Sequence, residues 1–308
     1  MPLLTLPNEL LLLIASHLPI PGAFYALTLA NKHLHTLLAR YLYERDVAEN
    51  HSSALLWAAR YGQAIPAKKC LAAGGDPNSL TDVDEGPLHL ACNNGDGEIV
   101  ELLLSVPGIE PDIVSARGQT PLCIAAQRGH VDIARALLDT RKVDVNKPGF
   151  GNLAPLGVAA AYGQAAMVQF LVSISVPVPG PSPGTGAAAD AQNAEGTGAL
   201  SLAVNNGHAG AVAVLAGTPG VDLEYRDEMG RSPLALAASI GAVDVVRVLL
   251  ATGRVDVNSA DAAGETPLGW AAIYRRHEVV RVLLATNGLD RSRLTERHLM
   301  ALGWERIP

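Results

Sequence analysis

The feature that most constrains this chain is a short pattern that returns along most of its length. Six segments superimpose: EGPLHLACNNGD, GQTPLCIAAQRGH, NLAPLGVAAAYGQ, GTGALSLAVNNGH, GRSPLALAASIGA and GETPLGWAAIYRR. The residue before their shared Leu is, in order, Pro87, Pro121, Pro155, Ala199, Pro233 and Pro267, at intervals of 34, 34, 44, 34 and 34 residues. A degenerate copy, SSALLWAARYGQ, places Ala54 there, 33 residues before Pro87. This period predicts small stacked units, each burying its apolar face only against its neighbours.

Each copy contains the start and stop signals of a short helix. Thr120, Ser232 and Thr266 place a capping hydroxyl before a Pro at the first helical position, where the missing N–H is not needed. A glycine that tolerates the left-handed conformation then ends the helix, and these glycines are Gly62, Gly95, Gly129, Gly163, Gly207 and Gly241. A second helix with an apolar stripe follows, as in VDIARALLD and VDVVRVLLA, and a turn-forming tail such as RVDVNSADAAG closes the unit.

These residues resemble the ankyrin repeat. The family's TPL, AA, G-H and VDVN elements recur in phase over about residues 51–290. The resemblance implies an all-α solenoid of about seven helix–turn–helix repeats, with hairpin-like fingers projecting between them. The segment RSRLTERHLMALGWERIP follows the last copy and resembles a polar terminal cap, which we assign to residues 291–308.

Two features depart from the repeat pattern. The 44-residue interval contains VPVPGPSPGTGAAADAQ, near residues 176–192, whose Pro, Gly and Ala content predicts a flexible loop on one edge of the stack. The Ser182-Pro183 pair in this loop is either a phosphorylation site or part of a plain spacer. The last copy has Arg275 where the other copies have the turn glycine.

Residues 1–48 follow a different pattern. A helix that begins at Pro7 carries Leu10, Leu11, Ile14 and Leu18 at helical spacing. PIPG ends this helix, and two further short helices are predicted before the repeats. Because three short helices bury little surface, their apolar stripe must be covered by the repeats or by another protein.

This N-terminal segment resembles an F-box. Its Leu-Pro, Glu-Leu-Leu, branched apolar residue and second Leu-Pro match the opening of that family, and Lys32 matches a Lys of the family's third helix. It departs at Leu34, where the family commonly carries Trp, and it lacks the family's later Leu-Trp pair. The resemblance implies a short three-helix unit that docks the Skp-type adaptor of a cullin–RING ubiquitin ligase. The positions matched to that interface are Leu6, Pro7, Leu10, Ile14, Leu18 and Pro19. The alternative is that these helices only cap the end of the stack.

Net charge and cysteine content limit the classes of binding partner and the cellular compartment that the sequence predicts. A net charge of -7 gives no basic footprint for nucleic acid or for an anionic membrane. The apolar run after Glu9 has no preceding Lys or Arg and is shorter than the ~20 residues of a membrane span, so it predicts neither a secretory leader nor a membrane helix. Cys70, Cys92 and Cys123 have no metal-ligand spacing and are typical of buried thiols in a reducing compartment. We expect a cytoplasmic or nuclear protein, or one found in both.

The sequence contains no catalytic motif in a suitable context. GFGNLA, residues 149–154, has the Gly-x-Gly-x-x-Ala spacing of a dinucleotide-binding loop but lies in a finger, and neither a phosphate loop nor a nucleophile elbow is present. His89, His130 and His208 occupy repeat positions at which the resemblance implies hydrogen bonds between turns. We therefore expect no enzymatic activity, no metal and no cofactor.

The predicted function is protein binding through a surface. The resemblance implies a concave face built from the fingers and from the exposed side of the first helices. Transferred copy by copy, this face comprises Arg60, Tyr61, Asn93, Asn94, Gln127, Arg128, Phe150, Tyr162, Asn205, Asn206, Arg226, Met229 and Tyr274. For each of them an ordinary solvated surface is the alternative. Trp57 and Trp270 share one repeat position and are assigned to packing.

Two functions are consistent with this reading. In the leading hypothesis the chain is the substrate-recognition subunit of an SCF-type ubiquitin ligase and a monomer within a hetero-complex. The F-box would dock the adaptor and the cullin complex, while the repeats bind an unknown protein target. The alternative is an ankyrin-repeat scaffold or inhibitor that has no association with a ligase.

Overall fold

The computed structural model describes residues 46–48, 52–174 and 198–303. These residues form helices joined by turns, and none of them lies in a β-strand, so the all-α prediction is confirmed for this part of the chain. The predicted helices before residue 46, the insertion near 176–192 and residues 304–308 lie outside the described residues. The domain boundaries at 48, 51 and 290 stay predictions.

The helices come in pairs at the repeat period. They are α1 Ser53–Arg60, α2 Ala64–Ala72, α3 Pro87–Asn94, α4 Gly97–Leu104, α5 Pro121–Arg128, α6 Val131–Asp139, α7 Pro155–Ala161, α8 Ala165–Ser173, α9 Ala199–Asn205, α10 Ala209–Gly217, α11 Pro233–Ile240, α12 Val243–Ala251, α13 Pro267–Ile273, α14 His277–Leu284 and α15 Glu296–Leu302. Short 3-10 turns lie at Phe150–Asn152 and Arg291–Arg293. Six first helices begin at the predicted Pro or Ala position, and α1 begins one residue before Ala54.

The described residues divide into two compact units. The first contains residues 46–48, 52–125 and 132–144, and the second contains 126–131, 145–174 and 198–303. In the first unit α1 packs on α2 and on α3, and α2 packs on α4. In the second unit α7, α9, α11, α13 and α15 pack in sequence, and α8, α10, α12 and α14 form the adjacent row. Within each unit these repeats thus cover their apolar faces with their partner helices and with the neighbouring repeat.

Side-chain caps fix where several first helices start. The Ser232 Oγ accepts a hydrogen bond from the Ala235 N–H at 3.3 Å, and the Thr266 Oγ1 accepts one from the Gly269 N–H at 3.1 Å. The Thr120 Oγ1 accepts from the Cys123 N–H, also at 3.1 Å. The three predicted hydroxyl caps are confirmed, and each satisfies one of the N–H groups that a helix start leaves without an intrahelical partner.

The core is built from small and branched apolar residues. Alanines of the first helices and the Leu that follows each Pro position are almost fully buried, as are three apolar positions of each second helix, for example Ile99, Val100 and Leu103 in α4. Alanine lets first helices of consecutive repeats lie close together, and the leucines fill the space toward the second helices. Truncating one of these leucines to Ala is expected to cost about 2–5 kcal/mol.

The turn glycines are required for two reasons, of which the sequence indicates only one. Gly129, Gly163 and Gly241 have φ of +77°, +71° and +85°, the left-handed conformation predicted for this position. A side chain of the next repeat also crosses directly over each of them: a Cβ on Gly163 would lie 2.6 Å from the His208 Nδ1, and a Cβ on Gly241 would lie 2.8 Å from the Arg276 Cδ. Glycine therefore also provides room for contacts between repeats.

The crossing side chains hydrogen-bond to the preceding repeat. The His208 Nε2 lies 3.1 Å from the Ala161 carbonyl oxygen, and the Arg276 Nε donates to the Ser239 carbonyl oxygen at 3.0 Å. Each accepting carbonyl lies at the C-terminal end of a first helix, where intrahelical donors run out. Arg275, the departure from the glycine pattern, adopts the same left-handed conformation with φ +55°.

Candidate interaction surface

The loop between successive helix pairs is a tight hairpin, which we call a finger. In finger A, residues 76–86 of the first unit, the Thr81 N–H donates to the Glu85 carbonyl oxygen at 3.0 Å. Finger B, residues 110–120, has the same contact between Ser115 and Gln119 at 3.0 Å. The second unit contains three fingers of this construction. One lies at residues 145–154, where the Gly149 N–H donates to the Leu153 carbonyl oxygen at 2.8 Å, and the others are finger C, residues 222–232, and finger D, residues 256–266.

Neighbouring fingers within a unit are held in register. The Ala116 N–H donates to the Val83 carbonyl oxygen at 3.2 Å, which joins the tips of fingers A and B. The Ala262 N–H donates to the Met229 carbonyl oxygen at 3.4 Å at the matching place in fingers C and D. At the base of finger A, the Asn78 Nδ2 donates to the Gly108 carbonyl oxygen at 2.9 Å. The fingers of each unit therefore present a surface whose backbone is ordered before any partner arrives.

A second exposed row lies where the first helices end. The residue before the turn glycine, or before Arg275, is a tyrosine in three copies, and the exposed fractions of Tyr61, Tyr162 and Tyr274 are 60%, 54% and 50%. Large, half-exposed aromatic side chains are common anchors of protein interfaces because they bury much area with few rotatable bonds.

Two of these tyrosines rest on a tryptophan of the same helix. The ring centroids of Trp270 and Tyr274 are 5.6 Å apart with planes at 13°, and those of Trp57 and Tyr61 are 5.4 Å apart at 45°. The Trp270 ring is buried, its Nε1–H donates to the Asp261 Oδ2 at 2.8 Å, and the Arg231 guanidinium carbon lies 5.7 Å from its centroid. The assignment of Trp270 to packing is confirmed, while Trp57 is half-buried.

Some of the predicted surface residues already make contacts within the fold. The Asn94 Nδ2 donates to the Ala59 and Arg60 carbonyl oxygens at 3.2 and 2.7 Å, so its amide closes the end of α1. The Asn206 Nδ2 donates to a carbonyl of its own helix at 2.9 Å. The Arg226 Nη1 donates to the Gly230 and Ala260 carbonyl oxygens at 3.2 and 3.3 Å and so bridges fingers C and D.

The other predicted surface residues differ in exposure. Gln127 is half-buried, and its carbonyl oxygen accepts from the Gln164 side chain at 2.9 Å. Asn94, Asn206 and Arg226 are exposed despite their internal hydrogen bonds, and the other exposed residues of the predicted set are Arg60, Tyr61, Asn93, Arg128, Tyr162, Asn205, Met229 and Tyr274. The side chain of Phe150 lies outside what the structure describes.

The six positions matched to an adaptor interface come before the first described residue. Leu6, Pro7, Leu10, Ile14, Leu18 and Pro19 all lie outside the described residues. The structure describes this N-terminal segment only from Asp46 onward.

The cysteine thiols are buried and protonated. Burial raises the pKa of Cys70 to about 12 and also raises the pKa values of Cys92 and Cys123. A thiol of this kind is a poor nucleophile at neutral pH, because the reactive species is the thiolate. The three cysteines are free and buried, as the sequence predicts.

Two of the repeat histidines make the predicted hydrogen bonds between turns. The Nδ1 of His89 accepts from the Gly86 N–H at 3.1 Å, and its Nε2 lies 3.1 Å from the Gln119 carbonyl oxygen. Burial lowers the pKa of His89, which favours the neutral ring that these two bonds need. His208 makes the corresponding contact with the preceding repeat.

The described residues contain neither a metal-binding cluster nor a membrane-spanning helix. No group of three or more His, Cys, Asp or Glu side chains in these ranges has the arrangement of a metal site. No helix in the same ranges has both the length and the apolar character that crossing a bilayer needs.

A family profile described as "Ankyrin repeats (3 copies)" matches residues 66–148, 88–180, 156–258 and 200–293, which together cover well over half of the chain. The chain belongs to the ankyrin-repeat family. The fingers and the paired helices described above are therefore the hairpins and helices of ankyrin repeats.

Several ankyrin-repeat proteins are similar in sequence over part of the chain. "Ankyrin repeat-containing protein C6C3.08" of Schizosaccharomyces pombe is 36% identical over 101 residues, which is 31% of this chain and 43% of that protein. "Ankyrin repeat and KH domain-containing protein CBG24701" of Caenorhabditis briggsae is 32% identical over 132 residues, which is 41% of this chain and 5% of that protein. The chain thus spans less than half of the length of these curated relatives.

Solved ankyrin-repeat domains share the fold. The ankyrin repeat domain of human ASB11 superimposes with a TM-score of 0.63 and 23% identity, over 77% of this chain and 98% of that domain. The ankyrin repeat domain of Bcl-3, a member of the IkappaB protein family, gives a TM-score of 0.60 and 25% identity, over 75% of this chain and 98% of that domain. The prediction of an ankyrin-repeat solenoid is confirmed.

Sequence reasoning missed the role of Asp46. This residue is fully buried, and its carboxylate accepts hydrogen bonds from the Ser53 hydroxyl and from the Ala54 N–H, the latter at 2.9 Å. It therefore caps α1 from outside the repeat, seven residues before the helix starts. The only signal for this cap in the sequence was an acidic residue that precedes a helix whose first turn contains no acidic residue.

Sequence reasoning also missed a relation between α15 and the repeats. α15 packs on α13 as the preceding first helices of the second unit pack on one another. The Nδ1 of its buried His298 accepts a hydrogen bond from the Thr295 N–H at 3.1 Å. His89 makes the same contact with Gly86 at the start of α3. The sequence signal for this relation was a His three residues after the residue that precedes the helix, as in Thr295 to His298 and in Gly86 to His89. The His298 Nε2 lies 3.0 Å from a carboxylate oxygen of Glu265, so α15 approaches finger D.

Proposed function

We propose that this protein is a non-catalytic substrate receptor of a cullin–RING ubiquitin ligase. In this proposal residues 1–48 dock the Skp-type adaptor, and the ankyrin repeats bind a protein target. The single observation that carries the proposal is the F-box-like opening of the sequence, from Leu6-Pro7 to Leu18-Pro19, placed directly before a set of ankyrin repeats.

The proposed mechanism needs no chemistry from this chain. Holding a target and a charged ubiquitin carrier in one complex raises their effective concentration, which multivalent binding achieves without any new catalytic group. The half-exposed tyrosines and the ordered fingers supply a binding surface, and the buried, protonated thiols agree with a role that has no thioester step. We propose a monomer within a hetero-complex, acting in the cytoplasm, the nucleus or both.

The contacts of Asp46 link the two proposed activities. Its carboxylate joins the end of the F-box-like segment to the start of the first repeat through Ser53 and Ala54. A buried, doubly hydrogen-bonded carboxylate is a restrained joint rather than a loose linker. Such a joint would help to hold a bound target at a set distance from the adaptor.

The test is co-purification with a Skp-type adaptor. The full chain is expected to retain the adaptor, and Ile14→Glu is expected to lose it because a charge would enter an apolar interface. Ile65→Glu is the matched control, since Ile65 is 69% exposed on the first repeat and lies outside the F-box-like segment. Retention by Ile14→Glu equal to that of the control would reject the proposed interface.

The burial of Asp46 also favours a second candidate function. If residues 1–48 serve only as a cap, the protein is an ankyrin-repeat scaffold or inhibitor without a ligase. That function predicts that removal of residues 1–45 lowers the stability of the first unit and that no adaptor co-purifies. The ligase function predicts adaptor binding, whatever the stability of the truncated chain.

A further inference from the structure

The tips of fingers A and B carry aliphatic side chains that face solvent. Leu80, Val83 and Val114 are each exposed by 40–42%. Leu80 and Val114 occupy the same position of consecutive repeats, seven residues before Pro87 and Pro121. They therefore lie side by side on neighbouring fingers, and Val83 extends the row toward the tip of finger A.

This aliphatic row is held in place by the backbone. The Ala116 N–H donates to the carbonyl of Val83 at 3.2 Å, so the two tips cannot separate without losing a hydrogen bond. At the base the Asn78 side chain donates to Gly108 and accepts from the Glu110 N–H, both at 2.9 Å. A partner would therefore meet a preformed surface, which lowers the entropy cost of binding.

On finger A the row is bordered by acidic side chains, while the tip of finger B carries the exposed Arg117. Finger A contains Asp76, Asp82, Asp84 and Glu85 and no Lys or Arg. Among the described residues no cation forms an ion pair with Asp82, Asp84 or Glu85. Their charge is therefore available to a partner.

Fingers C and D, which have the same backbone construction, differ on both points. At the positions of Leu80 and Val114 they carry Arg226 and Ala260. Two of the four acids of finger C have an arginine partner, since the Arg231 Nε lies 2.8 Å from the Asp227 Oδ2 and the Arg226 Nη2 lies 3.8 Å from the Glu224 Oε2. Exposed aliphatic side chains on fingers A and B, together with the carboxylates of Asp82, Asp84 and Glu85 on finger A, thus distinguish this pair of fingers from fingers C and D.

We propose that fingers A and B bind a protein segment that combines aliphatic side chains with lysine or arginine. Burial of Leu80, Val83 and Val114 would supply affinity, and contacts of the cations with Asp82 and Asp84 would supply specificity and a faster association rate. The same carboxylates would repel phosphate groups, which argues against a nucleic acid or an anionic membrane at this surface. The inference rests on the proposed function of the repeats and specifies the chemistry of their target.

The test uses the full chain and two fluorescein-labelled peptides. One alternates Leu with Lys over eight residues, and the other has Glu in place of each Lys. Fluorescence anisotropy is expected to show saturable binding of the Lys peptide, weakened by added salt, and much weaker binding of the Glu peptide. The double variant Asp82→Asn/Asp84→Asn is expected to weaken Lys-peptide binding about fivefold. Asn suits position 84 because it tolerates the φ of +54° found there.

Two further variants separate this surface from general effects of charge. Val83→Thr/Val114→Thr keeps the branched shape but places hydroxyls in the aliphatic row, and it is expected to weaken Lys-peptide binding about threefold. The control Glu224→Gln/Glu228→Gln removes two charges from finger C and is expected to leave the affinity unchanged. Equal affinity for both peptides, no change in the Asp82/Asp84 variant, or an equal loss in the control would overturn the proposal. Adaptor co-purification by the same variants is read separately, so failure here leaves the ligase proposal standing.

Discussion

Two glycine positions separate the need for a left-handed turn from the need for space between repeats. Gly163 and Gly207 have φ of +71° and +73°, and each ends a first helix of the second unit. A Cβ on Gly163 would lie 2.6 Å from Nδ1 and 2.8 Å from Cγ of His208. A Cβ on Gly207 would meet nothing closer than the Ala242 Cβ at 3.9 Å. Gly163→Ala and Gly207→Ala are therefore a matched pair.

The expected losses of stability differ by the cost of displacing His208. An alanine at either position must adopt a left-handed conformation, at about 1 kcal/mol. At Gly163 the imidazole must also move, which removes its contact with the Ala161 carbonyl, about 1 kcal/mol, and disturbs close packing by about 1 kcal/mol or more. We expect Gly207→Ala to lower the free energy of unfolding by about 1 kcal/mol and Gly163→Ala by about 3 kcal/mol.

The assay is urea unfolding of the full chain followed by circular dichroism, with amide hydrogen exchange of α7 and α9 to locate the loss. A double-mutant cycle with His208→Ala completes it. In that background Gly163→Ala is expected to cost only about 1 kcal/mol, because no ring remains above the new methyl group. Equal losses for Gly163→Ala and Gly207→Ala, or a loss at Gly163 that His208→Ala does not reduce, would refute the reasoning.

Three further predictions follow from single residues. Arg275→Gly is expected to raise the free energy of unfolding by about 1 kcal/mol, because it removes a non-glycine residue from φ +55°; no gain in the urea midpoint would contradict this. Asp46→Ala is expected to lower it by about 1–2 kcal/mol through loss of the α1 cap, with amide exchange rising first in α1, and uniform exchange would count against it. Because burial lowers the pKa of His89 below its ordinary 6.5, the unfolded chain binds that proton first as the pH falls. The stability due to His89 is therefore complete above about pH 6.5 and lost on acidification, and His89→Gln should flatten this part of the pH profile in urea titrations.

The sequence predicts the repeat architecture because its signals are local. Thr120, Ser232 and Thr266 cap their helices as expected, and the turn glycines adopt positive φ. Caps and turns depend on residues within a few positions of each other, so a single repeat contains all the information needed to predict them.

Contacts between repeats could not be predicted from the same signals. The ring of His208 lies over Gly163, 45 positions earlier in the chain, and the Asn94 amide reaches the carbonyls of α1. Asn94 was predicted as a target-binding residue because the concave-face pattern of the ankyrin resemblance was transferred to its position, but only the stacked neighbour reveals that its amide already makes hydrogen bonds. Ion pairs are equally hard to predict, because the sequence does not tell which acidic residues of the fingers have an arginine within reach.

The central claim is that the chain joins a ligase adaptor to its ankyrin repeats, and the most direct measurement is the mass of a mixture with a purified Skp-type adaptor. Size-exclusion chromatography with light scattering is expected to show a one-to-one complex that disappears with Ile14→Glu while the helical content of the chain is retained. Two separate species at their individual masses, with a fully folded chain, would contradict the account and leave a scaffold or inhibitor as its function.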